Sequence, residues 1–173
     1  NGQCVISTVA ITQPGSILVT LTNFNTVPYQ GYIEMVPANG PFVIENSHVI
    51  DDELGNANGL ADYTESVRLD VEIENIGIEL AQSVVATLTT NDPNVVITSN
   101  TFNVGDVDAN ATLLLNDAFA FTVNEWIEDQ HEVFFTITLT DALGNAWTSY
   151  TTVLLNAPVL SCAEIEIDDS LGN

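Results

Sequence analysis

The feature that most constrains the fold is a strict alternation of apolar and charged residues. In the segment Ser66–Asn75, the apolar residues Val67, Leu69, Val71 and Ile73 alternate with Arg68, Asp70, Glu72 and Glu74. A strand with one buried face and one wet face produces this period of two, whereas a helix requires a period near 3.6. The segment His131–Thr140 repeats the pattern. The sequence therefore predicts strands.

Further segments are rich in Val, Ile, Thr and Phe, which suit a pleated and half-buried surface. They are Val5–Ile11, Ser16–Asn23, Gly31–Val36, Phe42–Val49, Ser83–Thr90, Val95–Ser99, Thr112–Leu115, Ala118–Val123 and Ala146–Leu155. Turn sequences such as Gln13-Pro14-Gly15 separate them. Many short strands between turns predict an all-β chain. We expect an immunoglobulin-like antiparallel β-sandwich, preceded by a few strands of a partial or neighbouring β domain.

A seven-residue segment occurs twice in the chain and suggests how it is divided. The segment Ile50–Asn56 recurs as Ile167–Asn173 with a single difference, at an offset of 117 residues (167 minus 50). This spacing is about the size of one immunoglobulin-like sandwich. We expect residues 1–41 to close a preceding, incomplete β domain, residues 42–165 to form one complete module, and residues 166–173 to begin a next repeat or linker. The chain would then be part of a larger modular polypeptide.

The net charge restricts the classes of molecule that the chain can bind. One Lys or Arg residue against 24 Asp and Glu residues gives a net charge of −23. Nucleic-acid binding needs many cationic side chains, so it is excluded, and anionic lipid is an unfavourable partner. No apolar run approaches the roughly 20 residues of a membrane span. We therefore expect neighbouring modules of the same polypeptide, or copies of this chain, as partners, with no nucleic acid and no membrane insertion.

An acidic segment after the fourth predicted strand is the best candidate site. Its potential oxygen ligands are Asp51, Asp52, Asn56, Asn58, Asp62 and Glu65. Gly55 and Gly59 allow tight turns between them. Hard oxygen ligands on a short, flexible loop suit calcium, so calcium is the one cofactor that the sequence suggests. The alternative is a polar hinge between domains, whose Asn and Asp side chains cap turns.

Other residues support weaker hypotheses. Cys4 and Cys162 are disulfide candidates if the protein is secreted, and neither has the basic surroundings of a catalytic thiol. Asn110-Ala111-Thr112 is a glycosylation sequon, and Ser170 lies in an Asp-Ser-Leu sequence similar to a short bacterial O-glycosylation motif. The side chains of Trp126, Trp147, Tyr150 and Phe135 are expected in the core or between the sheets, with a sugar-binding aromatic platform as the alternative.

Several stretches together resemble a known kind of module. They are Asn1–Gln3, Asn25–Ile33, Asp51–Val67, Glu74–Gly77, Asp117–Phe121 and Asp141–Trp147. The chain resembles the immunoglobulin-like region that follows the catalytic domain of gingipain-type cysteine peptidases, and similar modules of large secreted bacterial proteins, many of them exported by type IX secretion. The resemblance implies a secreted, extracellular or cell-surface location. The catalytic Cys–His pair of those peptidases has no matching position here.

Three functions follow as hypotheses. The first is a non-catalytic structural module that acts as a spacer, an adhesive segment or the repeat unit of an extracellular stalk or fibre. The second is the accessory tail of a gingipain-like peptidase, with any catalytic domain outside this chain. The third is a carbohydrate-binding module, for which a glycan would be the partner.

Overall fold

The structure, a computed structural model, describes residues 15–25, 27–35 and 39–158. Its strands are β1 (Gly15–Leu21), β2 (Tyr29–Met35), β3 (Val43–Asp51), β4 (Ala61–Asp62), β5 (Ser66–Asn75), β6 (Ala81–Thr89), β7 (Val95–Ser99), β8 (Thr101–Val107), β9 (Thr112–Val123), β10 (His131–Thr140) and β11 (Ala146–Asn156). The described part is all-β, as predicted, and it holds no helix with the length and hydropathy of a membrane span. The predicted strand Val5–Ile11, Cys4, Cys162, Ser170 and segment 166–173 lie outside the described residues.

Two sheets enclose the hydrophobic core. One contains four strands in the order β3-β5-β9-β7, and the other contains five in the order β4-β11-β10-β6-β8. Strand β5 buries every second residue along its length, as its alternation predicts. Phe121 of the four-stranded sheet and Phe135 of the five-stranded sheet pack with ring centroids 5.2 Å apart, and both are almost completely buried. The two inner faces therefore interdigitate as in a β-sandwich.

The order of strands agrees with an immunoglobulin-like arrangement, with one departure. Strands β3, β5, β9 and β7 occupy the positions of the A, B, E and D strands, and β6, β10 and β11 occupy those of C, F and G. The departure lies in the order of strands along the chain. Strand β7 of the four-stranded sheet comes before β8 of the five-stranded sheet, and only Asn100 separates them. Three successive connections, from β6 to β9, therefore cross from one sheet to the other.

Three details differ from the sequence-based expectation, the first of which is the two-residue strand β4 (Ala61–Asp62), which was not predicted. The predicted strands Thr112–Leu115 and Ala118–Val123 are one strand, β9, interrupted by a β-bulge in which residues 116–118 lie opposite Asp70 of β5. Asp117, at the centre of this bulge, has a φ of 51°. Strand β8 was not predicted, because Gly105 and Asp106 are residues that strands usually avoid. Pairing with β6 overrides this local preference.

Strands β1 and β2 form a separate two-stranded sheet, with Leu18 opposite Tyr32 and Ile17 opposite Ile33. No described residue of these strands is buried. The strands of the two large sheets all lie between Val43 and Asn156. Every core residue in the described part of the chain thus comes from the segment that follows the hairpin.

A single buried amide holds one end of the sandwich together. The side chain of Asn75, at the end of β5, is completely buried. Its Oδ1 accepts hydrogen bonds from the backbone N–H groups of Phe42 (2.9 Å) and Gly77 (3.0 Å). Its Nδ2 donates to the carbonyl oxygens of Glu79 (2.8 Å) and Val107 (3.0 Å). One amide therefore satisfies four backbone groups, two of which, at Phe42 and Val107, are distant in sequence.

Candidate functional site

The acidic loop, residues 51–65, connects β3 of one sheet to β4 and β5. Asp52 is its buried member, with 4% of its surface exposed. Its carboxylate accepts hydrogen bonds from the backbone N–H groups of Asn58 (2.7 Å) and Gly59 (3.1 Å), and its carbonyl oxygen accepts one from Gly55 (2.7 Å). The turn that contains Gly55 and Gly59 is thus folded around the carboxylate of Asp52, because a buried carboxylate requires such donors.

The other predicted ligands of the acidic loop also contact one another. Asp62 Oδ2 accepts hydrogen bonds from the side-chain amides of Asn56 (2.6 Å) and Asn58 (2.8 Å). The carboxylate of Glu65 accepts from the backbone N–H groups of Asn56 (3.0 Å) and Asp62 (3.1 Å). A Cβ atom at Gly55 would overlap the carboxylate of Glu65, so a side chain at this position would displace that carboxylate from the network. The carboxylates of the acidic loop therefore accept hydrogen bonds from N–H groups of the same loop.

Asp51 belongs to a different group, which we call the Arg68 cluster: Arg68, Asp51, Asp70 and Asp117. Arg68 Nη2 lies 2.6 Å from Asp51 Oδ2, and Arg68 Nε lies 3.0 Å from Asp117 Oδ1. The second contact is an ion pair whose angle is too bent for a hydrogen bond. One carboxylate oxygen from each of the three aspartates lies within 4.8 Å of the other two. Two carboxylates of the cluster thus contact the guanidinium group, and the third, that of Asp70, lies close to both of them.

The bulge in β9 places the third carboxylate of the Arg68 cluster. The backbone N–H of Asp117 donates a hydrogen bond of 2.7 Å to Asp70 Oδ1, and this contact orients the bulge. Bulges redirect side chains, and Asp117, at the centre of this bulge, lies beside Arg68 of the neighbouring strand. Arg68, Asp70 and Asp117 were not predicted as a group from the sequence. The signal that could have found them is that Arg68 is the only Lys or Arg residue of the chain.

These two neighbouring groups face an open groove of about 640 Å³, lined by residues that include Asp51, Asp52, Arg68 and Asp117. In the Arg68 cluster the guanidinium contacts the carboxylates of Asp51 and Asp117 and offsets part of the negative charge of the three aspartates. In the acidic loop, backbone and amide donors occupy carboxylate oxygens. The six predicted calcium ligands therefore lie in two groups. Asp51 belongs to the Arg68 cluster, and the acidic loop contains Asp52, Asn56, Asn58, Asp62 and Glu65. The calcium hypothesis remains a prediction for the acidic loop.

The two histidines form separate contacts. His48 Nδ1 lies 2.8 Å from Thr151 Oγ1 of the other sheet and 3.1 Å from Glu45 Oε1. Both partners use the same ring nitrogen, so the imidazole cannot relay a proton from the hydroxyl to the carboxylate through its two nitrogens, as a catalytic triad requires. This contact, with the hydrogen bond from Glu45 N–H to Ser149 Oγ (3.0 Å), connects β3 to β11.

His131 forms an ion pair with Asp92 in the connection before β7. The distance from His131 Nε2 to Asp92 Oδ2 is 2.7 Å, and the backbone N–H of Asn94 donates a 2.9 Å hydrogen bond to Asp92 Oδ1. Burial tends to raise the pKa of Asp92, but the hydrogen bond from Asn94 and the contact with His131 outweigh it and hold the pKa below its usual value. Asp92 is therefore a fixed carboxylate at this end of the sandwich.

Of the four aromatic side chains expected in the core or between the sheets, two are buried and two are exposed. Trp147 and Phe135 are buried in the core, as predicted. The prediction is wrong for Trp126 and Tyr150, whose side chains are 85% and 78% exposed. Tyr150 occupies an outward position on β11, where the period of two places it, because its neighbours Thr151 and Trp147 are buried on the opposite face. Asn110, the sequon residue, lies exposed in the turn between β8 and β9.

No protein-family model matches the chain, and no curated protein matches it significantly. The resemblance to modules of gingipain-type peptidases thus remains a prediction, and the functional conclusion depends on the geometry.

Proposed function

We propose that this chain is a non-catalytic structural module of a secreted or cell-surface bacterial protein, which associates with neighbouring modules or with copies of itself. It would act as a spacer, an adhesive segment or the repeat unit of a stalk or fibre.

The observation that supports this proposal best is the hairpin of β1 and β2. It exposes Leu18 and Tyr32 on one face, and Leu21, Tyr29 and Ile33 on the other, with exposed fractions between 49% and 71%. A two-stranded sheet is marginally stable alone in water, and it gains stability when a third strand or a packing surface covers it. Apolar side chains on both faces, outside the core of the sandwich, are suited to contact with a further β structure.

The charge determines the conditions in which association is expected. At a net charge of −23, two copies repel each other at low ionic strength. The Debye length falls from about 10 Å at 0.1 M salt to about 3 Å at 1 M, so salt weakens this repulsion without weakening apolar contacts. Association through the hairpin should therefore increase with salt.

Light scattering coupled to gel filtration, with electron microscopy of the same samples, tests the proposal. We expect oligomers or fibres that grow with protein concentration and with salt. Tyr32→Ser, in the hairpin, should abolish them, whereas Val49→Ser, which replaces a similarly exposed apolar residue of the sandwich, should not. Monodisperse monomers at every concentration and salt, or equal association of both variants, would contradict the proposal.

A further inference from the structure

The outer face of the five-stranded sheet differs from the rest of this acidic chain. A row of four threonines crosses it in register, one from each of β8, β6, β10 and β11. They are Thr101, Thr87, Thr138 and Thr148. In the outer face of the four-stranded sheet, by contrast, β5 contributes Arg68, Asp70, Glu72 and Glu74. The centre of the threonine face is uncharged, so it presents neither a cation nor an anion site.

Two large aromatic residues stand on this face, near the outward-facing Glu132 at the start of β10. Tyr150 of β11 is 78% exposed and Phe134 of β10 is 66% exposed. Phe134 is opposite Thr152, and Tyr150 is opposite Thr136, so the two aromatic residues are diagonal neighbours on adjacent strands. Outward strand positions readily accept threonine, whose presence here needs no functional reason. The adjacent pair of exposed aromatic rings, in contrast, distinguishes this face from the acidic outer face of the other sheet.

The rings border a groove of about 440 Å³, within the size range of small-ligand sites. Its other walls include Thr89, Thr136, Asn91 and Asp92. The side chains of Asn91 and Thr136 make no hydrogen bond to the described residues, and the hydroxyl of Thr89 makes only a long one, 3.5 Å to the carbonyl of Thr136. Hydrogen-bonding groups beside the rings are thus available to a ligand.

One wall of the groove is held in place before any ligand binds. Asp92 is fixed by the ion pair with His131 and by the N–H of Asn94. Thr90 Oγ1 donates to the carbonyl of Phe134 (2.8 Å) and accepts from the N–H of Asp92 (3.1 Å), which connects this wall to the strand that carries one of the rings. Such preorganisation lowers the entropy that binding would otherwise cost.

From these observations we infer that the groove between Tyr150, Phe134 and Asp92 binds a neutral glycan. The apolar C–H face of a pyranose ring would stack on the aromatic side chains, and its hydroxyl groups would hydrogen-bond to Thr136, Asn91 and the carboxylate of Asp92. An anionic ligand is disfavoured by the net charge, and a cationic one would find more carboxylates on the opposite sheet. A second copy of the chain is disfavoured because it brings its own negative charge to a face that lacks compensating cations.

Affinity electrophoresis in gels that contain one soluble polysaccharide each tests the inference. The neutral probes are hydroxyethylcellulose, galactomannan, dextran and β-1,3-glucan, and polygalacturonate is the anionic control. We expect retardation by at least one neutral polymer and none by polygalacturonate. Tyr150→Ala should weaken the interaction about tenfold, as truncation of a central aromatic contact does. Thr136→Val, which removes only a hydroxyl, should weaken it about threefold to tenfold.

Trp126→Ala is the matched control, because Trp126 is an equally exposed aromatic residue that does not line the groove. It should bind as the original chain does, and the melting temperatures of all variants should agree. The inference is overturned if no neutral polymer retards the protein, if Tyr150→Ala binds normally, or if Trp126→Ala abolishes binding. Dimers that disappear in Tyr150→Ala would show that copies of the chain occupy this face instead. The inference does not depend on the proposed assembly, since Tyr32→Ser should leave glycan binding unchanged.

Discussion

Replacement of Arg68 by methionine should destabilise the chain in a salt-dependent way. The substitution keeps much of the side-chain length on β5 but leaves Asp51 and Asp117 without their guanidinium partner, with the carboxylate of Asp70 close to both. Two unit charges 4 Å apart interact by about 4 kcal/mol at an effective dielectric constant near 20. Exposed pairs contribute at most about 1 kcal/mol, and Asp117 is 54% exposed, whereas Asp51 is only 17% exposed. We therefore expect a loss of about 2 to 3 kcal/mol at low salt, mainly from the Asp51 pair and the uncompensated carboxylates.

Urea denaturation at 20 mM and 500 mM NaCl measures this loss. The deficit of Arg68→Met should shrink at high salt, and Arg68→Lys, which retains the charge, should lose less. Gln82→Glu is the control for total charge, because it also makes the chain more negative by one unit, at an exposed position. Millimolar calcium should stabilise Arg68→Met more than the original chain, since the three aspartates could then share an ion. An equal deficit at both salt concentrations, or an equal loss in Gln82→Glu, would refute the electrostatic explanation.

Three further predictions concern single polar groups. Asn75→Ala should lower the free energy of unfolding by about 3 to 5 kcal/mol in urea, because it leaves four backbone groups unpaired; a loss below 1 kcal/mol would contradict this. The lowered pKa of Asp92 implies a stabilisation that is complete above about pH 4 and is lost as the pH falls through that lowered value. Melting curves of Asp92→Asn should therefore lack this acid-dependent component, and identical pH profiles would exclude it. If the acidic loop binds calcium, titration calorimetry in metal-free buffer should show heat that Asp62→Asn reduces; no heat at millimolar calcium would end that hypothesis.

Side-chain alternation made most of the fold predictable from the sequence. In β5 and β10 the inward residues are apolar except for Asn75 at the end of β5, and most outward residues are polar, so local pattern and tertiary burial agree. The same pattern failed at β9, where a bulge continues one strand through Asn116 and Asp117. A bulge depends on pairing with the neighbouring strand, which a one-dimensional pattern does not contain.

The candidate sites were less predictable for a related reason. Asp52, Asp62 and Glu65 are close in sequence, so their proximity in the acidic loop could be expected. Arg68 and Asp117 are almost fifty residues apart and meet only because β5 pairs with β9 in one register. Tyr150 was assigned to the core because aromatic residues are usually buried, although its position relative to Thr151 places it outside.

The position of Arg68 has a practical consequence for following this protein. Trypsin cleaves after Lys or Arg, and this chain offers it one peptide bond, between Arg68 and Leu69. That bond lies in an interior strand between β3 and β9, and Leu69 is completely buried. A protease can reach it only when the sheet opens, so the fraction of cut chains reports the population of opened molecules. The amount of the two tryptic fragments on a gel therefore measures how often the sheet opens. This measurement also works in an assembly too large for spectroscopy.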